Sequence, residues 1–152
     1  MKVALVCMGN IFRSKVLEQY LKVKAPDIEV FSCGILSKES MPEEKILMKE
    51  VKLGLLNRGL KVNIKRNPWS EKAKNNLEKS DLILTATKDI RKFLINKINN
   101  KNINTFYEFI NEGEKEFEDP FDYKKRKQDP EKFQKGFDEL ERLAQLIANR
   151  IK

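Results

Sequence analysis

Apolar residues along this chain alternate between short continuous runs and longer stripes at helical spacing. Lys2–Cys7 (KVALVC) is a β-branched apolar run and predicts a buried strand. Val16, Leu17, Tyr20 and Leu21 share one helical face, which predicts a helix over Ser14–Lys24 that stops at Ala25, Pro26 and Asp27. Ile28–Ser32 (IEVFS) predicts a second strand. The next helix starts at Met41–Pro42–Glu43–Glu44, with proline and acids in its first turn, and runs to about Arg58 before Gly59. Ser70–Lys79 predicts a third helix, Ser80–Thr87 a strand, Lys88–Asn99 a helix and Ile103–Phe106 a short fourth strand. An acidic loop, NEGEKEFEDPFDYKK, comes next. Pro130–Lys152 closes the chain as an amphipathic helix, with Phe133, Phe137, Leu140, Ala144, Ile147 and Ile151 on one stripe.

Strands that alternate with helices imply an α/β fold: a parallel sheet covered on both faces and connected by right-handed crossovers. Ligands of such sheets bind beyond the carboxyl ends of the strands. Cys7 stands at one of those ends, just before a loop and a helix amino terminus.

Composition narrows the chemistry. The 152 residues make about one domain, and no repeat or linker divides residues 1–152. There is no histidine, so Ser-His-Asp triads, Cys-His dyads and His-ligated zinc are excluded. Two cysteines make no disulfide framework and no metal-ligand spacing. The opening MKVALVCMGN is too short for a signal-peptide core and no later run approaches a membrane span, so a cytoplasmic protein with reduced thiols is expected. The net charge of +8 suits anionic partners. Lysine supplies 24 of the 31 basic residues, many on helices beside glutamates, which reads as a solvated surface at least as well as a nucleic-acid footprint.

The stretch VCMGNIFRS carries the candidate chemistry. A tight strand-to-helix loop, Met8–Arg13, can aim successive backbone N–H groups at one anion. Gly9 and Asn10 tolerate the left-handed angles such a curl needs. The helix amino terminus adds positive potential, and Arg13 offers a planar fork for two phosphate oxygens. These features also favour the thiolate of Cys7, the nucleophilic form, and Ser14 is placed to donate a hydrogen bond to the sulfur. One loop would hold a phosphoryl group and attack it.

In these residues the chain resembles the low-molecular-weight protein tyrosine phosphatases, whose loop reads V-C-x-G-N-x-x-R-S. Ser32–Gly34 (SCG), Asp81–Leu84 (DLIL) and Glu118–Phe121 (EDPF) resemble further family landmarks, in family order across essentially the whole chain. The resemblance implies a four-stranded parallel sheet flanked by helices on both faces. It implies hydrolysis of aryl phosphate monoesters through a phosphocysteine, with no metal and no cofactor. Cys7 would attack phosphorus, Arg13 and the amides of Met8, Gly9, Asn10, Ile11 and Phe12 would bind the phosphoryl oxygens, and Asp119 would be the acid. Ser14 and Ser32 would support the loop, and Phe121 would flank the substrate ring. The expected partner is a tyrosine-phosphorylated protein acted on by a monomer; membrane and nucleic-acid partners are not expected.

Two Asp-Pro pairs compete for the acid, and Asp122 is a third candidate that lacks the following proline. Asp129 precedes the last helix and reads as its cap. Asp119 lies between Phe117 and Phe121, where apolar neighbours favour the protonated form that a general acid needs.

The sequence also departs from the family pattern. A family histidine that bonds the loop asparagine is absent; with Arg66 aligned to the arginine of that stretch, Asn63 takes its place. Phe12 replaces a cysteine often found one residue before the arginine. Cys33 replaces a small residue and reads as a packing residue, a redox pair with Cys7 being the other possibility. No aromatic lies between Gly34 and Pro42, where the family often walls the substrate ring. Ile11 resembles the tyrosine branch, since the related protein arginine phosphatases typically carry threonine there. An arsenate reductase on the same fold would need three cysteines, and a non-hydrolytic phosphocysteine carrier would lack the loop arginine, so both fit these residues less well.

Overall fold

A computed structural model describes residues 1–37, 44–62, 65–100, 102–122 and 127–151, with the backbone alone at 44–47, 121–122 and 127–128. The sheet contains β1 (Lys2–Cys7), β2 (Glu29–Gly34), β3 (Leu82–Thr85) and β4 (Ile103–Thr105), in spatial order β2-β1-β3-β4 and parallel throughout. The helices are α1 (Arg13–Lys24), α2 (Glu44–Asn57), α3 (Glu71–Glu78), α4 (Lys88–Lys97), α5 (Phe106–Phe109) and α6 (Pro130–Ile151). The four-stranded parallel α/β fold expected from the sequence is present.

The placement of β1 follows from its composition. Val3, Ala4, Leu5 and Val6 are fully buried, as an apolar run needs to be when both faces and both edges are covered. Its two neighbours, β2 and β3, give the strand its central position. The stripe of α6 behaves as its period requires: Phe133, Phe137, Leu140, Ala144 and Ile147 are buried, and the helix packs along α1. Each of these side chains other than Ala144 contributes roughly 1.5–3 kcal/mol of burial.

The observed bounds differ from the expected ones in two places that matter. The sequence predicts one strand over Ile103–Phe106, but the strand ends at Thr105, which caps α5 reciprocally with Glu108. A short strand in the acidic loop, β5 (Phe121–Asp122), also pairs antiparallel with β6 (Lys127–Gln128) just beyond it. The expected helix start at 41–43 lies outside the described residues. Among the described residues no helix is long and apolar enough to cross a membrane.

Candidate active site

β1 delivers Cys7 to the carboxyl end of the sheet, opposite Gly34 on β2. A Cβ at Gly34 would sit 2.7 Å from the Met8 carbonyl oxygen and 2.9 Å from the Gly9 carbonyl carbon. Only glycine lets the loop after β1 fold back this closely. The Met8 carbonyl then accepts N–H bonds from Ile35 (3.0 Å) and Leu36 (3.1 Å), which pins the outer rim of the loop. Asn10 supplies the sharp turn with φ of 58°, in the left-handed region that asparagine tolerates. The turn brings the Asn10 N–H to 3.3 Å from Cys7 Sγ. The Ser14 hydroxyl lies 3.0 Å from the same sulfur.

The Asn10 side chain is completely buried and fully used. Its Nδ2 donates to Ser14 Oγ at 2.8 Å and to Ser32 Oγ at 2.9 Å. Its Oδ1 accepts the backbone N–H of Asn67 at 2.7 Å, which fixes which end of the amide is which. Because Ser14 Oγ accepts from Asn10, its own hydrogen is available to the sulfur, and Cys7 is the acceptor of both bonds.

Asn63, expected to hold Asn10, lies outside the described residues; among the described residues the bond to Oδ1 is made by Asn67. The Asn67 Nδ2 donates to the Ser32 carbonyl at 2.9 Å, its own carbonyl accepts from Gly34 N–H at 2.9 Å, and Arg66 Nε donates to the Gly9 carbonyl at 3.2 Å. A backbone donor has no residue-type signature. The one available signal is Pro68, which restricts Asn67 to extended backbone.

Arg13 opens α1 and is 5 % exposed. Its Nη1 donates to the Phe117 carbonyl at 2.7 Å, and Nη2 lies 3.6 Å from Asp119 Oδ2. The segment carrying Asp119 is located by two contacts near the end of β3: Phe117 N–H donates to Ala86 O (3.0 Å), and the Glu116 carboxylate accepts Lys88 N–H (2.8 Å). Asp119 thus reaches the loop from a point far away in sequence. Asp129 does what its context predicts: Oδ1 accepts from the N–H groups of Glu131 and Lys132 at the start of α6.

The remaining expected residues divide. Met8 is half-buried and Ile11 almost wholly buried on the loop. The Phe12 side chain turns into the core, against Phe117, Phe133 and Phe137, with ring centroids 4.7–6.5 Å away, so only its backbone faces the loop's concave side. Gly136 permits that packing, since a Cβ there would meet the Phe12 ring at 2.9 Å. The Phe121 side chain lies outside the described residues. Cys33 is fully buried; burial, and then the neighbouring Cys7, push its thiol far up, with Lys15 countering only in part. Such a thiol packs and does not react. Among the described residues no three His, Cys, Asp or Glu side chains are grouped to hold a metal ion.

Two participants escape the sequence reading. Glu18, on α1, accepts the Ser32 hydroxyl at 2.6 Å, and Lys15 lies 3.3 Å from the same carboxylate oxygen. Both are buried.

The geometry is a sulfur ringed by donors, with a guanidinium and a carboxylate beside it. Residues 2–152 match the family model described as low molecular weight phosphotyrosine protein phosphatase. A search of curated protein sequences found no match. Among solved structures, the chain is similar to a low molecular weight protein tyrosine phosphatase from T. tengcongensis (25 % identity, 98 % of each chain covered, TM-score 0.78). It is similar to the Erwinia amylovora tyrosine phosphatase AmsI (25 % identity, 97 % of this chain and 91 % of that one, TM-score 0.70). The YwlE arginine phosphatase from Geobacillus stearothermophilus shares the fold (22 % identity, 99 % of this chain and 92 % of that one, TM-score 0.77). This chain therefore belongs to the low molecular weight phosphotyrosine protein phosphatase family.

Proposed function

We propose that this phosphatase hydrolyses phosphotyrosine in proteins through a phosphocysteine on Cys7. The observation that carries the reading is the sulfur itself: Cys7 Sγ accepts from both Ser14 and Asn10 inside a loop closed by Arg13, and Arg13 also holds Asp119. Cys7 Sγ attacks phosphorus as the bond from phosphorus to the phenolic oxygen breaks. Arg13 and the amides of residues 8–12 stabilise the equatorial oxygens, and Asp119 gives its proton to the departing oxygen. The products are the phosphocysteine, the phenol and an Asp119 carboxylate. That carboxylate then takes a proton from water as the water oxygen attacks phosphorus. Hydrogen phosphate is released, and the thiolate and protonated Asp119 are regenerated. Every charge that develops on the phosphoryl group meets a fixed protein donor, so the scheme calls on no metal ion or cofactor.

A second reading is a protein arginine phosphatase on the same fold. The segment beside the loop favours it: Ile35 and Leu36 are aliphatic where an aryl ring would gain from an aromatic wall. The arsenate-reductase reading is disfavoured, since Cys33 is the only thiol besides Cys7 and it is buried. Turnover of matched phosphotyrosine, phosphoarginine and phosphoserine peptides separates the readings. Tyrosine hydrolysis ahead of the other two supports the first, and phosphoarginine ahead of phosphotyrosine replaces it with the second.

A further inference from the structure

Lys15 is among the largest fully buried side chains of the protein, and the scheme above does not use it. It lies one turn before Glu18 on α1, with its Nζ 3.3 Å from Oε1. Lys22 reaches Oε2 at 2.7 Å from a position that is 43 % exposed. An exposed pair at i,i+3 or i,i+4 supports a helix without taking an ammonium out of water, which is costly. The burial of Lys15 therefore calls for another account.

The direction of the hydrogen bonds supplies it. An ionised carboxylate only accepts. Glu18 Oε1 thus makes Ser32 the donor at 2.6 Å, and Ser32 Oγ accepts from Asn10 Nδ2 at 2.9 Å. The other Nδ2 hydrogen goes to Ser14 Oγ, and the Ser14 hydrogen goes to Cys7 Sγ. From Glu18 to the sulfur, each group has one possible orientation. A protonated Glu18 could donate to Ser32, whose own hydrogen would then oppose the Asn10 Nδ2 hydrogen and strain the amide that Asn67 N–H holds in place.

We propose that Lys15 is a positioning residue for Cys7: its buried ammonium keeps Glu18 a pure acceptor, and the chain through Ser32, Asn10 and Ser14 carries that bias to the sulfur. The proposal rests on the reading of Cys7 as the nucleophile. Burial raises the Glu18 carboxyl, but Lys15 and the hydrogen bonds from Lys22 and Ser32 outweigh it and hold the group below its ordinary value. Lys22 stands in solvent and is screened. From β2 the titratable neighbour is Cys33, and from β1 it is Cys7. The acids of α6 that act on α1, Asp138 and Glu141, act on Tyr20 further along the helix.

The test is the pH dependence of Cys7 alkylation by iodoacetamide in wild type, K15M, S32A, K15M/S32A and K15M/E18Q, with urea unfolding of each protein as the control for fold. K15M is expected to move the alkylation midpoint upward by about one pH unit, making reaction about tenfold slower at a pH below both midpoints. If K15M strands the Glu18 charge and does not fold, K15M/E18Q leaves no buried ion pair and is expected to show the same displacement. In the S32A background K15M is expected to add little, because the bias travels through Ser32. A folded K15M or K15M/E18Q with the wild-type midpoint overturns the proposal, as does full additivity of K15M and S32A. The reading of Cys7 fails separately, if protein fully alkylated on Cys7 still turns over p-nitrophenyl phosphate.

Discussion

Arg13 Nη1 donates to the carbonyl of Phe117 at 2.7 Å. The guanidinium that closes the Met8–Phe12 loop is therefore bonded to the segment that brings Asp119 to the site, and the two halves of the proposed chemistry share one fork.

Replacing that fork by a point charge separates its two jobs. Lysine carries its three donors on one nitrogen and cannot span the Phe117 carbonyl and two phosphoryl oxygens as the planar fork does. Arg13→Lys is expected to keep its fold and lose on the order of a hundredfold to a thousandfold in kcat/KM for p-nitrophenyl phosphate, the scale of one lost transition-state donor. Steady-state kinetics with a thermal melt of the same sample checks this.

The two Asp-Pro aspartates should respond oppositely. Asp119→Asn is expected to lower turnover of phosphotyrosine peptide about a hundredfold or more. The loss should shrink for aryl phosphates whose phenols are strong acids, because these leave without a proton. Asp129→Ala removes the cap of α6 and should cost about 1 kcal/mol of stability with turnover unchanged. A leaving-group series and urea titrations of the two variants read out both effects.

Gly34→Ala is a steric test of the loop. The added methyl would meet Met8 O at 2.7 Å, and β2 is held in register beside β1, so the loop is the part that moves. A cost of about 1–3 kcal/mol is expected for the overpacking, with a larger fall in kcat than unfolding explains. Circular dichroism melts beside turnover numbers distinguish the two.

Acid should loosen the contact between α6 and the start of the acidic loop. Hydrogen bonds from Arg142 and then Lys115 hold the Glu112 carboxyl down to about 2, against an ordinary 4.5. With the folded value lower, the unfolded chain binds the proton first. The stabilisation is therefore complete above pH 4.5 and is lost as the pH falls towards 2. Glu112→Gln is expected to flatten that part of the stability profile, lying a little below the wild type near neutrality, since the site is solvent-screened, and meeting it near pH 2. Urea midpoints measured from pH 6 to pH 2 for both proteins test the sign.

Much of this could be read from residue order. Lys2–Cys7 is a strand at the bounds its β-branched run set, and Asp129 caps the helix that its proline and stripe announced. What escaped was polar chemistry inside the fold. Lys15 and Glu18, three apart on a helix, look like a solvated pair, and only the layering of α1 between the sheet and α6 buries them. Asn67 acts through its backbone N–H, which any residue but proline carries. Thr105 and Glu108 do spell a capping box, but the aromatic Phe106 between them also suits a strand, and the strand reading ran one residue into α5.

The central claim is a covalent phosphoryl group on Cys7 during turnover. Rapid acid quench of enzyme mixed with p-nitrophenyl phosphate, followed by peptide mass mapping, reads it directly. A phosphorylated peptide containing Cys7 is expected, formed in step with a burst of p-nitrophenol, with neither label nor turnover in Cys7→Ala. Turnover in Cys7→Ala, or a burst with the phosphoryl group on another residue, would contradict it.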